Sequence, residues 1–149
     1  DNSTAVLKTS DIWIKYFRQS GMPQTALALG LEYNSSKFWW AGVTGSYYDN
    51  IYLDFNPVTR AKNEQGYYPN WNKQTKVDPG FIIDIFVGKS WKINDLYINV
   101  SANMSNVLDN KNMITGGFEQ YRFSDTYVFD PKIYYYNGFN YFINFSIRM

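Results

Sequence analysis

The residues best equipped for chemistry sit in one polar, ring-rich stretch, NEQGYYPNWNKQTK (63–76). Tyr67, Tyr68 and Trp71 stand there among asparagine and glutamine. Aromatic faces stack on sugar rings or apolar ligands, and neighbouring amides supply directional hydrogen bonds. These three rings form the candidate ligand-contact loop. The competing use of the same rings is to pack loop against loop or to rest on a membrane rim. A second stretch, SDIWIKYFRQ (10–19), reads as a short amphipathic helix with Ile12, Trp13, Tyr16 and Phe17. That pattern suits packing in a loop, against neighbouring structure or a partner, better than ligand binding.

Other chemistries lack their residues. The chain has no histidine and no cysteine. A Ser–His–Asp site, a His-ligated zinc, a thiolate metal site, a disulfide and a histidine pH switch are excluded within it. Asp49, Asp54, Asp78 and Asp84 lack the spacing of a calcium loop. Gly116 and Gly117 read as a turn with positive φ, because a phosphate-cradling loop needs more glycines, a lysine and a following helix. Glu119 and Arg122 are candidates to pair with each other or with a neighbouring domain. Nothing singles out paired carboxylates for glycoside hydrolysis. The reading is therefore of no enzyme, no metal and no cofactor. Lys plus Arg is 14 against 13 for Asp plus Glu, which gives no electrostatic case for nucleic acid. The Asn-x-Ser/Thr sequons at Asn99, Asn103 and Asn144 fall inside candidate strands and read as by-products of a polar face.

The elements that must position these residues are strands. Tyr, Phe and Trp number 14, 11 and 5, and leucine is scarce, which favours sheet over helix. Period-two alternation marks strands at about 24–33, 38–54, 80–91, 96–108 and 138–149. In the second, Trp39, Ala41, Val43, Tyr47, Ile51 and Leu53 share the apolar face. In the last, Tyr141, Ile143, Phe145, Ile147 and Met149 alternate with Asn140, Asn144, Ser146 and Arg148. Average globular strands have about 5–6 residues, whereas a tilted strand crossing a bilayer needs roughly 9–11. These stretches have the longer measure. Their connections also alternate. NSSK (34–37) and KIND (92–95) are tight turns, whereas 1–22, 56–79 and 109–137 are long. Short turns at one end and long loops at the other are the habit of outer-membrane barrels. Asn99, Ser101, Asn103, Ser105, Asn144, Ser146, Arg148, Thr44, Ser46, Asn50 and Asp84 make a second face suited to a wet lumen. Trp39, Tyr47, Phe81, Trp91, Phe139 and Tyr141 are placed as an aromatic girdle. The fold expected is all-β, an antiparallel up-and-down transmembrane β-barrel. The alternative is a soluble β-sandwich carbohydrate-binding module with Trp and Tyr platforms. Five strands are too few to close a membrane barrel, which takes about eight at least, so the chain reads as part of a larger wall.

The run MPQTALALGLEYNSSKFWWAGVTGSYYDNIYLDFNPVTR (22–60) resembles the late-barrel segment of TonB-dependent outer-membrane receptors of the Bacteroidetes type. GKSWKIN (88–94), NVLDNKNMITGGFEQYRF (106–123) and KIYYYNGFNYFINFSIRM (132–149) are similar to the same family, the last to its closing strand. The likeness runs from about residue 20 onward. One departure is Met149 at the end of the closing strand, where such barrels usually carry Phe. The resemblance implies a barrel of about 22 strands, of which residues 1–149 are the C-terminal part, and a plug domain absent from this chain. It implies energised import of a nutrient across the bacterial outer membrane. The partners implied are the remainder of the receptor, the bilayer, the barrel-assembly machinery and TonB, with a surface lipoprotein left open. It makes 1–22, 56–79 and 109–137 extracellular loops and places NSSK and KIND in the periplasm. Gly138 with Tyr141, Ile143, Phe145, Ile147 and Met149 then becomes the candidate assembly signal. The start at Asp1, with neither initiator Met nor signal peptide, reads as processing or a fragment.

Overall fold

A computed structural model describes residues 10–61, 70–120, 123–124 and 127–149, with 123–124 and 127–128 for their backbone alone. The chain is all-β. Its strands are β1 (Pro23–Asn34), β2 (Trp39–Ile51), β3 (Gly80–Ile93), β4 (Leu96–Ser105), β5 (Ile114–Phe118), β6 (Phe123–Ser124), β7 (Tyr127–Val128), β8 (Lys132–Tyr135) and β9 (Asn140–Arg148). One 3₁₀ turn covers Val58–Arg60. Five strands form a single antiparallel sheet in the order β1-β2-β3-β4-β9. These are the five long stretches of alternation, with ends moved by up to three residues. β5 pairs with β8, and β6 with β7, inside the segment 109–137 that alternation alone assigns to loop. No closed barrel forms among the described residues. β1 and β9 each pair on one side only and leave two free sheet edges.

Register decides which side chains share a face. Leu31 lies opposite Val43, Val43 opposite Ile85, Ile85 opposite Met104, and Met104 opposite Tyr141. The next rows repeat the pattern, with Ala102 opposite Ile143 and Val100 opposite Phe145. One face is therefore apolar across all five strands, with two charged side chains in register on it, Lys89 toward the turn end and Asp49 at the loop end, where Asp49 pairs with Lys76. Along the opposite face Thr44 faces Asp84, Ser90 faces Asn99, and Asn99 faces Ser146. That face is less uniformly polar than the alternation suggests. The Phe86 ring lies over Gly42 and the Trp40 ring over Gly88, in space that a Cβ would occupy.

The apolar face has no covering layer. Leu29 is 77% exposed, Ile143 60% and Phe145 61%. Val43 is also exposed, and Ile83, Ile85 and Val100 are only half-covered. A sandwich would bury these residues against a second sheet, and no such sheet lies on them among the described residues. Leaving a large apolar side chain in water forfeits on the order of 1.5–3 kcal/mol relative to burial. Summed over this face, that exceeds the roughly 5–15 kcal/mol of net stability of a folded domain. The face is built for an apolar neighbour.

The core lies at the loop end of the sheet instead. Ile51, Leu53 and Val77 are buried there, with Tyr48, Ile114 and Ile133 packed against them. This corrects the placement of Ile51 and Leu53 on the apolar wall. Asn50 has φ +55°, which turns the chain at the end of β2 and carries both side chains into the loop cluster. The tight turns lie at the other end. Asn94, at φ +56°, makes the corner between β3 and β4, a conformation asparagine tolerates. Phe38, at φ +58°, closes the turn between β1 and β2, where Phe38 N–H donates to Ser35 O at 3.1 Å.

Candidate functional site

The described parts of the long connections gather at the loop end, and one ion pair locks them together. The Arg60 guanidinium grips Glu119 with both terminal nitrogens, Nη1 on Oε2 and Nη2 on Oε1, the latter at 2.6 Å. Nη2 also donates to Lys73 O at 3.0 Å. Arg60 is 6% exposed. Glu119 further accepts from Asn56 N–H at 3.1 Å and Thr75 Oγ1 at 3.2 Å. Four segments, around residues 13–18, 54–60, 73–75 and 117–120, therefore meet on one charged pair. Trp13 N–H donates to Arg60 O at 2.9 Å, and the Phe17 ring faces the guanidinium at 5.9 Å. Glu119 is thus held by Arg60, 59 residues away in sequence. Arg122, its other suggested partner, lies outside the described residues.

Of the candidate ligand-contact rings, Trp71 is half-buried and meets Trp13 edge to face, 5.5 Å between centroids. It packs loop against loop. Tyr67 and Tyr68 lie outside the described residues. The stretch 10–19 is not the expected helix. Tyr16 has φ +67°, Ile12 bridges to Ala61, and Phe17 packs on Phe55 at 5.2 Å. Arg18 N–H donates to Gln74 Oε1 and Gln74 Nε2 donates back to Arg18 O. The aromatic anchors and this amide pair fix an irregular path, with a turn in which Phe17 N–H donates to Ile14 O, that overrides helical spacing. Gly116 and Gly117 have positive φ but sit in strand β5 rather than in a turn. A Cβ on Gly117 would strike the backbone of Lys132 on β8, so glycine there permits strand pairing.

The closing strand and its approach form the second candidate. Tyr141, Ile143, Phe145 and Ile147 project from one face of β9, and Met149 follows its end, all exposed. Gly138 has a packing reason. A Cβ there would come within 2.5 Å of Asp109 Oδ1 and of Lys111 Cε. Asp109 Oδ1 accepts Phe139 N–H at 2.8 Å, while Oδ2 pairs with Lys111 at 2.8 Å. The Lys111 hydrogen bond, then the Phe139 N–H, hold the Asp109 carboxyl below the ordinary carboxylate range. Asn106, fully buried at φ +51°, donates to Asn110 O and to Asn137 O at 2.9 Å. Asp84 accepts Ser105 Oγ and Asn106 N–H. Asn56, Arg60 and Asn106 escaped the sequence reading, and Asp84 was placed only on the polar face. Their only local signal is asparagine beside a strand end, and their partners lie far away in sequence.

On the polar face a groove of about 270 Å³ runs between β3, β4 and β9, edged by Asp84, Phe86, Asn103, Asn140 and Phe142. Asp84 is already committed to Ser105 and Asn106. No cluster of three metal-ligating side chains forms among the described residues. What the arrangement can do is hold a rigid loop cap over one end of a sheet that is apolar on one side and polar on the other. None of the protein families, curated proteins or solved structures compared with the chain matches it.

Proposed function

We propose that the chain is a lipid-facing wall segment, with its extracellular loops, of a TonB-dependent outer-membrane transporter that imports a nutrient. The observation that carries the reading is the uncovered apolar face running across all five strands, with every long connection at one end and both tight turns at the other. The distances fit a bilayer. Phe81 and Lys89 are eight residues apart on β3, about 26 Å of strand at ~3.3 Å per residue. Tilted at about 40°, that spans roughly 20 Å of height, near the ~25 Å apolar band of an outer-membrane barrel. Rings mark both limits. Tyr47 lies opposite Phe81 at the loop end, where Phe139 and Tyr141 are 6.2 Å apart. Tyr33 and Trp39, 5.1 Å apart, lie at the turn end near Trp91. No helix among the described residues is long and apolar enough to cross a membrane, so strands would do the crossing.

In this reading the two free edges pair with the remaining strands of the receptor, because unpaired backbone groups in lipid cost several kcal/mol each. The polar face turns to the lumen and its plug, and the Arg60–Glu119 cap shapes the outer mouth where ligand is first met. The chain supplies no catalytic group. Energy arrives through TonB. The direct test is dilution from denaturant into phosphatidylcholine vesicles, followed by flotation. The chain is expected to float, and acyl chains brominated near the headgroup should quench Trp39 and Trp91. Recovery in the aqueous phase as a folded monomer would reject the reading.

A further inference from the structure

The apolar face carries one charge without a charged partner among the described residues, and its placement is specific. Lys89 stands directly opposite Trp39 and Val100, with Val87 and Trp91 two residues to either side on the same face. A cation on a lipid-facing surface is costly away from the headgroups, by roughly 2–4 kcal/mol at mid-depth and little at the boundary. Its position therefore marks a boundary. The ammonium donates to Lys37 O at 3.0 Å and lies 5.8 Å from the Trp91 ring centre. No carboxylate pairs with it among the described residues. One of its three N–H donors is used, so the others are free for an external acceptor. Lys37, whose carbonyl takes that bond, carries a second cationic side chain in the same turn, and Trp39, opposite Lys89, meets the Tyr33 ring at 5.1 Å.

We propose that Lys89, with Lys37, Trp39 and Trp91, forms a binding site for the phosphate of a membrane phospholipid at the turn end of the wall. The ammonium would take the phosphate oxygens while the indoles lie along the glycerol and upper acyl chains. The occupant is a lipid because the site opens onto the apolar face, with continuous apolar surface leading away through Val87 and Ile85. The site rests on the wall reading above, and the experiment separates the two.

The chain is reconstituted into vesicles of phosphatidylethanolamine and phosphatidylglycerol, floated, extracted in mild detergent and weighed by native mass spectrometry. Wild type and Lys89→Arg should retain bound phospholipid. Lys89→Gln should retain several-fold less, and Lys37→Gln an intermediate amount. Lys92→Gln, on the opposite face of the same strand, should match wild type. Excess inorganic phosphate should not displace the lipid. Flotation of each variant together with a wild-type β-sheet circular dichroism spectrum verifies folding. Equal retention by Lys89→Gln, equal loss in Lys92→Gln, or displacement by inorganic phosphate would each overturn the site and leave the wall reading standing. Failure of wild type to float would remove both.

Discussion

Arg60 brings its five N–H donors into a space nearly closed to water, and its value lies in what happens when one partner goes. Removing one member of a buried ion pair leaves the other charge uncompensated, which costs about 3–5 kcal/mol, the lower figure suiting a carboxylate that keeps some water. Glu119 is such a case, its side chain 16% exposed. Arg60→Met is expected to destabilise the loop cluster by about 3 kcal/mol, read from urea unfolding in detergent. Arg60→Met with Glu119→Met should recover part of that loss, because the stranded charge is gone. Asp109 gives a pH-dependent counterpart. Its carboxyl is held low by Lys111 and by Phe139 N–H. A folded-state value below the unfolded one makes its contribution full above the ordinary carboxylate pKa and lost as pH falls through the folded value. The protection of the Phe139 amide against exchange, relative to its intrinsic rate, should therefore fall below about pH 4, the ordinary aspartate range. In Asp109→Asn that pH dependence should flatten.

At the scale of a strand, the two faces predict opposite tolerances. Ile143→Arg places a charge mid-strand on the apolar face of β9 and should cost about 2–4 kcal/mol of folding free energy in a bilayer. Ser101→Arg, on the polar face of β4, should cost under about 0.5 kcal/mol, as surface substitutions usually do. Denaturant titration of both variants in lipid vesicles checks the contrast. Equal costs would mean that the faces are misassigned. The five long strands were legible in the sequence because alternation is a local signal that survives over ten residues. The tight turns were legible for the same reason. β5 and β8 were not, because they are short and depend on Gly117 meeting Lys132 across the loop. The stretch 10–19 misled, since Ile12, Trp13, Tyr16 and Phe17 also satisfy a helical spacing and only the distant Phe55, Ala61 and Gln74 select the irregular path. Ile51 and Leu53 misled where a single left-handed residue, Asn50, ends the period. Of the candidate ligand loop, Trp71 was legible as aromatic but not as the partner of Trp13.

For the whole molecule, an uncovered apolar face and two open edges predict behaviour in plain buffer. Refolded without lipid or detergent, the chain should migrate as broad, large aggregates in size-exclusion chromatography, and as a narrow species once detergent is present. A narrow monomer peak without detergent would contradict this. The path of the chain also bears on time. The β1–β2 and β3–β4 hairpins close across a few residues, whereas β9 reaches β4 only after the segment 106–139. Closing the longer loop costs roughly 2.5 kcal/mol more chain entropy than a two-residue turn. The hydrogen bonds from Asn106 to Asn137 and from Phe139 to Asp109 bridge the two ends of that segment. Once formed, they hold Asn140 beside Ser105, so the final pairing need only zip onward from there. The last strand of the sheet is thus timed by a few polar side chains outside it, and slowing that latch would delay its pairing without altering one residue of the strand.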